Sequence, residues 1–183
     1  MQPIKILANW LEANSSKERY IFTLKDLRVL FPELSDSAYR TLLSRTVRSG
    51  YLDRICNGIY IYKKTNYPRG LTLFHVASYM RSSDFNYISL ETVLCDVGII
   101  SQMPINYITI MSSGRSYTVP CGNFGTIEFI HTNRKPQEVM NELNYDKDCR
   151  MWRARPKLAL EDMKRTHRNS DLIDQEVANE LIR

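Results

Sequence analysis

Glycine and proline are scarce, seven of each in 183 residues, which excludes collagen-like and Gly/Pro-rich low-complexity sequence. Cysteine and histidine are scarcer still. Cys56, Cys95, Cys121 and Cys149 lie far apart with no CxxC, and His75, His131 and His167 do not join them at metal-ligand spacing. No metal or cofactor is expected. The even cysteine count leaves one disulfide pair formally open, but reduced, mostly buried thiols are expected. Apolar runs extend only a few residues, and the amino end MQPIKILANWLEAN carries charge and no small-residue cleavage site. With neither membrane span nor secretion signal, a bacterial-type or other reducing cytoplasm is the expected location. A phosphate-cradling Gly-rich loop, GxSxG, a Cys-His nucleophile pattern, repeats of fixed period and low-complexity tracts are all missing as well.

What is present suits a folded protein of one large or two small domains, with 43% hydrophobic and 10% aromatic residues. The net charge of +5 is lopsided. Residues 1–67 hold 11 Lys/Arg against 6 Asp/Glu, whereas residues 68–183 hold 14 of each. A basic module joined to a neutral one suggests that the first approaches a polyanion.

The most informative stretch lies inside that basic module. In SDSAYRTLLSRTVRSG, Ser35 and Asp36 supply an N-cap and Gly50 arrives where a helix stops. Ala38, Leu42, Leu43 and Val47 fall on one side of this helix, leaving Arg40, Ser44, Arg45 and Arg48 outside, with Tyr39 among the candidate contacts. YLDRICNGIYIYKK follows, two β-prone runs joined by Asn57-Gly58, a pair suited to a two-residue turn with positive φ at both positions. A basic helix followed by a hairpin carrying Arg54, Lys63 and Lys64 is the order of a winged helix-turn-helix, in which the helix enters the major groove and the wing covers phosphates. Arg40, Ser44 and Arg45 are then expected at base edges, and Arg54, Lys63 and Lys64 at phosphates. A solvated helix beside an ordinary hairpin is the plainer alternative.

Upstream, Pro3 begins a helix with Ile4, Leu7, Trp10 and Leu11 on one face, Ile21–Thr23 is a short strand, and Thr23 caps a second helix. YKKTNYPRG reads as a linker, dividing residues 1–67 from 70–183. Beyond it, LTLFHVASYM forms a helix with Leu73, Phe74, Ala77 and Met80 on its apolar face. Tyr87-Ile88 makes a brief strand, and Ser89 caps LETVLCDVG. INYITIM, SYTVPC and TIEFIHT alternate with period two, so an antiparallel sheet is expected. PQEVMNEL, KLALEDMKRTH and a final helix capped by Ser170 complete it, with MWRA as a possible strand. The fold class expected is α+β: a winged helix-turn-helix, then a small mixed domain with an antiparallel sheet.

The order of LDRICNGIYIY, LTLFHVASYM, NYISLETVLCDVGII, YITIMSSGRSYTV, GTIEFIHT and ARPKLALEDM resembles the AbiEi-like antitoxins of type IV toxin–antitoxin and abortive-infection systems, over most of residues 20–165. The resemblance implies that the first domain binds operator DNA, expected to carry inverted repeats, and represses its own operon. It also implies that the second opposes a nucleotidyltransferase-like toxin. It implies no catalytic residue. Many members carry a larger helical region after the KLALEDM-like segment, so antitoxin surfaces assigned there do not transfer to this chain.

Two other functional classes remain open to this sequence. An enzyme reversing the toxin's modification would need a site, and Ser112-Ser113-Gly114-Arg115-Ser116 or Asp146 with Asp148 are the candidates; turn chemistry and a polar loop account for both. An RNA-binding regulator could stack bases on Tyr60 and Tyr62, although strand tyrosines more often pack a sheet. His75, on an apolar helix, is expected as a satisfied core residue. Arg150, Arg153, Arg155, Lys157, Lys164, Arg165 and Arg168 form a second basic run, partly offset by Glu161 and Asp162.

Overall fold

A computed structural model describes residues 2–101, 104–168 and 170–182, and divides into two compact units, Met1–Thr72 and Leu73–Arg183. The division comes a few residues after the expected linker. Tyr67 still belongs to the first unit, its ring stacked on Tyr20 at 4.7 Å. Among the described residues no helix is long and apolar enough to cross a membrane.

The first unit runs α1 (Pro3–Asn14), β1 (Ile21–Thr23), α2 (Leu24–Arg28), α3 (Asp36–Arg48), β2 (Asp53–Cys56) and β3 (Ile59–Ile61). Its three strands form an antiparallel sheet in the order β1-β3-β2. Thr23 closes a capping box with Asp26, and Ser35 accepts the Ala38 amide, so both short connections end in polar caps. Leu7, Leu11, Phe22, Leu27, Leu43 and Leu52 are buried together where helices meet sheet. Each such side chain contributes about 1.5–3 kcal/mol of apolar burial.

The inward face of α3 differs in phase from the one expected. Tyr39, Leu42, Leu43 and Thr46 are buried, while Ala38 is exposed and Val47 half-buried. The hairpin turn also differs: Gly58 takes a positive φ of 76°, but Asn57 does not, and the register shifts by one residue between Arg54 and Cys56. A bulge in β2 replaces the second left-handed residue.

The second unit contains α4 (Thr72–Met80), β4 (Asn86–Ile88), α5 (Glu91–Asp96), β5 (Tyr107–Ser112), β6 (Tyr117–Pro120), β7 (Thr126–His131), α6 (Pro136–Val139), β8 (Leu143–Asp146), β9 (Met151–Ala154), α7 (Pro156–Arg165) and α8 (Gln175–Ile182). Its six strands lie in the order β6-β7-β5-β4-β9-β8. The sheet is mixed rather than antiparallel: β5 pairs with β7 and β4 with β9 in parallel. β7 inserts between β5 and its own hairpin partner β6, an arrangement that alternation with period two cannot disclose. The chain is thus α+β.

Three further local expectations are corrected. Buried positions on α4 are Thr72, Leu73, His75, Val76 and Ala77, with Phe74 and Met80 only half-buried. Ser89 does not cap α5, because Leu90 occupies the cap at φ 59° and the Ser89 hydroxyl is given to Asp162 at 2.8 Å. Asp174, not Ser170, caps the last helix by accepting the Glu176 and Val177 amides.

Candidate functional site

Residues upstream of α3 fix how that helix is presented. Arg28 donates to the Leu34 carbonyl at 2.6 Å, pairs with Asp36 at 3.4 Å and lies over the Tyr39 ring at 4.9 Å. One guanidinium therefore holds the turn between α2 and α3. At 100° per residue, with Tyr39, Leu42, Leu43 and Thr46 inward, the middle of the outward face is Ser37, Thr41, Ser44 and Arg48. Arg40 falls on the flank nearer the hairpin and Arg45 on the opposite flank.

Those flanks open into separate surface depressions. Arg40, Ser44 and Arg48 line a cleft of about 510 Å³ together with Arg54, Asn57 and Tyr60 of the hairpin. Arg45 lines another, of about 730 Å³, with Pro3 and Ile4 of α1 and Leu34. No residue lining the first cleft is acidic. The carboxylates of this unit's turns are engaged elsewhere: Asp36 with Arg28, Asp53 with Lys63 at 3.0 Å, and Asp26 in the Thr23 cap. The side chains of Arg40, Arg45 and Arg48 make no hydrogen bond or ion pair to the described residues, so their charge is free for a ligand.

The remaining candidates divide between surface and core. Arg54 is oriented by its own hairpin, donating to the Cys56 carbonyl at 3.4 Å and the Asn57 side chain at 3.0 Å. Lys64 sits over the Tyr51 ring at 4.7 Å, and both hairpin lysines are exposed. Tyr39 is corrected from a surface contact to a core residue: 4% exposed, it donates its hydroxyl to the Leu24 carbonyl at 2.7 Å, and burial pushes its pKa to about 12. Tyr60 and Tyr62 are buried too, so neither ring face is open to stack on a base. Burial raises the Tyr60 pKa while Arg54 and Arg40 act against it, which places both guanidinium groups within electrostatic reach of the phenol.

Sequence reasoning passed over Ser37 and Thr41, took Asn57 as a turn residue and Tyr60 as a stacking candidate for RNA, and did not join the last two to the helix arginines. The first two were legible from the helical wheel once its phase was set by Tyr39 rather than Ala38. No local signal marks Tyr60, which reads as one more strand aromatic.

In the second unit Ser112 and Asp146, two of the enzyme candidates, are engaged in structural bonds. Ser112 accepts from Arg81 at 2.8 Å and from the Gly114 amide at 3.1 Å. Asp146 ends β8, a strand the sequence hides, where it accepts the Cys149 amide and pairs with Arg153 at 2.9 Å. His75, 1% exposed, donates Nε2–H to the Asp148 carbonyl at 2.6 Å, and burial lowers its pKa. The second basic run breaks up likewise: Arg153 pairs with Asp146 and Asp96, and Arg168 with Glu91 and Glu128. Asp162 is fully buried rather than a surface offset to that run. Cys56, Cys121 and Cys149 are buried and Cys95 half-buried; burial raises Cys149 to about 12. Among the described residues no group of three or more His, Cys, Asp or Glu is placed to hold a metal ion.

No protein-family model matches the chain, and no curated protein matches its sequence. Among solved structures, the crystal structure of the RV2827C protein from Mycobacterium tuberculosis is similar at a TM-score of 0.56, covering 97% of this chain and 70% of that one. The identity is 12%, so the likeness is one of fold.

Proposed function

We propose that the first unit is a winged helix-turn-helix that binds operator DNA, with α3 in the major groove and the β2–β3 hairpin as the wing. The observation carrying this reading is the cleft in which Arg40 and Arg48 of α3 meet Arg54 of the hairpin without any acidic residue. A cation-lined junction of helix and hairpin matches a phosphate backbone crossing between groove and wing. Arg45 and Ser44, on the outward half of α3, are the base-reading residues. The wider reading is an autorepressing type IV antitoxin whose second unit opposes a nucleotidyltransferase-like toxin; it rests on the ordered sequence motifs.

The DNA reading is tested by titrating the full chain with its own promoter and a scrambled duplex at several salt concentrations. Arg45→Ala is expected to cost about 1–3 kcal/mol on the promoter and little on the scrambled duplex. Lys64→Ala should weaken both alike and lower the salt slope by about 0.9. Equal losses on both duplexes for Arg45→Ala would remove α3 from the groove. For the antitoxin reading, a fragment of residues 70–183 is expected to rescue cells expressing the toxin encoded beside it. Rescue by residues 1–67 alone would reverse that assignment.

A further inference from the structure

We infer that the cleft between α3 and the hairpin is a seat for one phosphate group, with the Tyr60 hydroxyl and the Arg40 and Arg54 guanidinium groups as its donors. That the phosphate belongs to a DNA backbone rests on the reading above; the seat itself rests on geometry.

Tyr60 is 7% exposed, yet its hydroxyl has no hydrogen-bond partner among the described residues and is not sealed from solvent. Buried tyrosines ordinarily place that group on a partner, as Tyr39 does on Leu24 and Tyr87 on Asp162. Tyr60 instead lines the cleft, where the missing partner must come from outside the chain. It is flanked by two cations. Arg40 makes no internal hydrogen bond or ion pair, whereas Arg54 spends Nε and Nη2 on the hairpin turn, which orients its plane and leaves Nη1. With no acidic residue in the lining, an anion is needed to balance this charge. A tetrahedral phosphate can accept from a phenol and two guanidinium groups arriving from different sides, and bonds to a charged acceptor are the stronger kind. Arg48 continues the lining along α3, which is the path a phosphodiester chain would follow. Arg40 thereby moves from the base-reading role its sequence position suggested to the backbone.

The test uses the full chain as wild type, Tyr60→Phe and Arg40→Gln, with thermal melting to establish that each variant is folded. Tyr60→Phe keeps the ring in the core and removes one hydroxyl. Each variant is expected to bind promoter and scrambled duplex roughly tenfold more weakly, by the same factor for both. Arg40→Gln should also lower the salt slope by about 0.9. Walking a single uncharged methylphosphonate along the duplex should find one position that weakens wild type but not Tyr60→Phe. A second arm titrates inorganic phosphate and a mononucleotide into the free chain while following the Arg40 and Arg54 Nε resonances. If wild type binds DNA and both variants equal it at every salt concentration, the seat is overturned and the DNA reading survives. If no duplex binds but phosphate shifts both arginines in wild type and not in Tyr60→Phe, the seat stands with free phosphate as its source, and the DNA reading fails. Response in neither arm overturns both.

Discussion

Gly125→Ala is expected to unfold the second unit while leaving the first intact. Gly125 holds φ at 118°, a region that side chains rarely enter, and any Cβ there would collide with the Asn106 carbonyl oxygen and lie 2.6 Å from the Asn106 Cβ. Neither obstacle is the far end of a flexible side chain. Asn106 itself sits at φ 58° and its carbonyl accepts the Thr126 amide at 2.8 Å, the bond from which the β5–β7 register begins. Relief would therefore break the first rung of a pair of adjacent central strands. Strain and overpacking together should cost roughly 3–5 kcal/mol, a large share of a domain's stability. The two tryptophans make the measurement clean, since Trp10 lies in the first unit and Trp152 in the second. With Trp10→Phe as background, Trp152 fluorescence should report a collapsed melting temperature; with Trp152→Phe, the Trp10 transition should stay where it was. Joint loss of both signals would show that the units do not fold separately.

Local chemistry was legible in the sequence wherever one residue decides one conformation. Pro3 opening α1, Thr23 and Ser35 capping α2 and α3, and Gly98 ending α5 at φ 77° are all of this kind. Properties set by distant partners were not. Tyr39 is polar enough to suggest a surface, and the partner that satisfies its hydroxyl inside, the Leu24 carbonyl, lies fifteen residues away. Strand direction depends on which segment inserts where, so alternation found β5, β6 and β7 without telling that β5 and β7 run parallel. β8 escaped because Leu143-Asn144-Tyr145-Asp146 carries two residues that disfavour strands. The site shows the same division. Its helix and hairpin could be read residue by residue, but the meeting of Arg40, Arg54 and Tyr60 requires the fold.

The motifs that carry the family resemblance also gain a physical meaning. Tyr87 and Ser89 of NYISLETVL donate to Asp162 of KLALEDM, at 3.0 and 2.8 Å. Thr92 of the first motif bonds Thr109 of YITIM, its hydroxyl taking the Thr109 amide at 2.7 Å. These segments occur together because they pack together. They specify a core.

Asp162 joins two of those motifs, and its loss is the second change expected to be severe. It lies on α7 with no exposure, Oδ2 taking both hydroxyls and Oδ1 facing Arg134 Nε at 3.4 Å, an ion pair too poorly aligned to count as a hydrogen bond. Asp162→Ala would leave a phenol and a serine hydroxyl without their acceptor and a largely buried guanidinium with Glu161 at 3.4 Å as its remaining counter-charge, at a cost of about 3–5 kcal/mol. Asp162→Asn retains one acceptor and should cost about 1–2 kcal/mol. The pair of variants also fixes a pH dependence. Burial raises the Asp162 carboxyl above its ordinary value of 3.8, against the hydrogen bonds from Ser89 and Tyr87 and the charge of Arg134. Between that value and the folded one the native chain holds a proton that the unfolded chain has released, so this group's contribution is full below about 3.8 and is lost as pH rises through its folded pKa. Glu128 and Asp146 run the other way: burial raises them, but bonds from Arg168 and Tyr107, and from Cys149 and Arg153, outweigh it and lower both. Their stabilisation is lost as pH falls, equally in wild type and in Asp162→Asn. Subtracting the two proteins' unfolding free energies across mildly acid pH isolates Asp162, and wild type's advantage should shrink as pH rises. An advantage that grew instead would mean that Arg134 and the two hydroxyls stabilise the carboxylate more than burial penalises it.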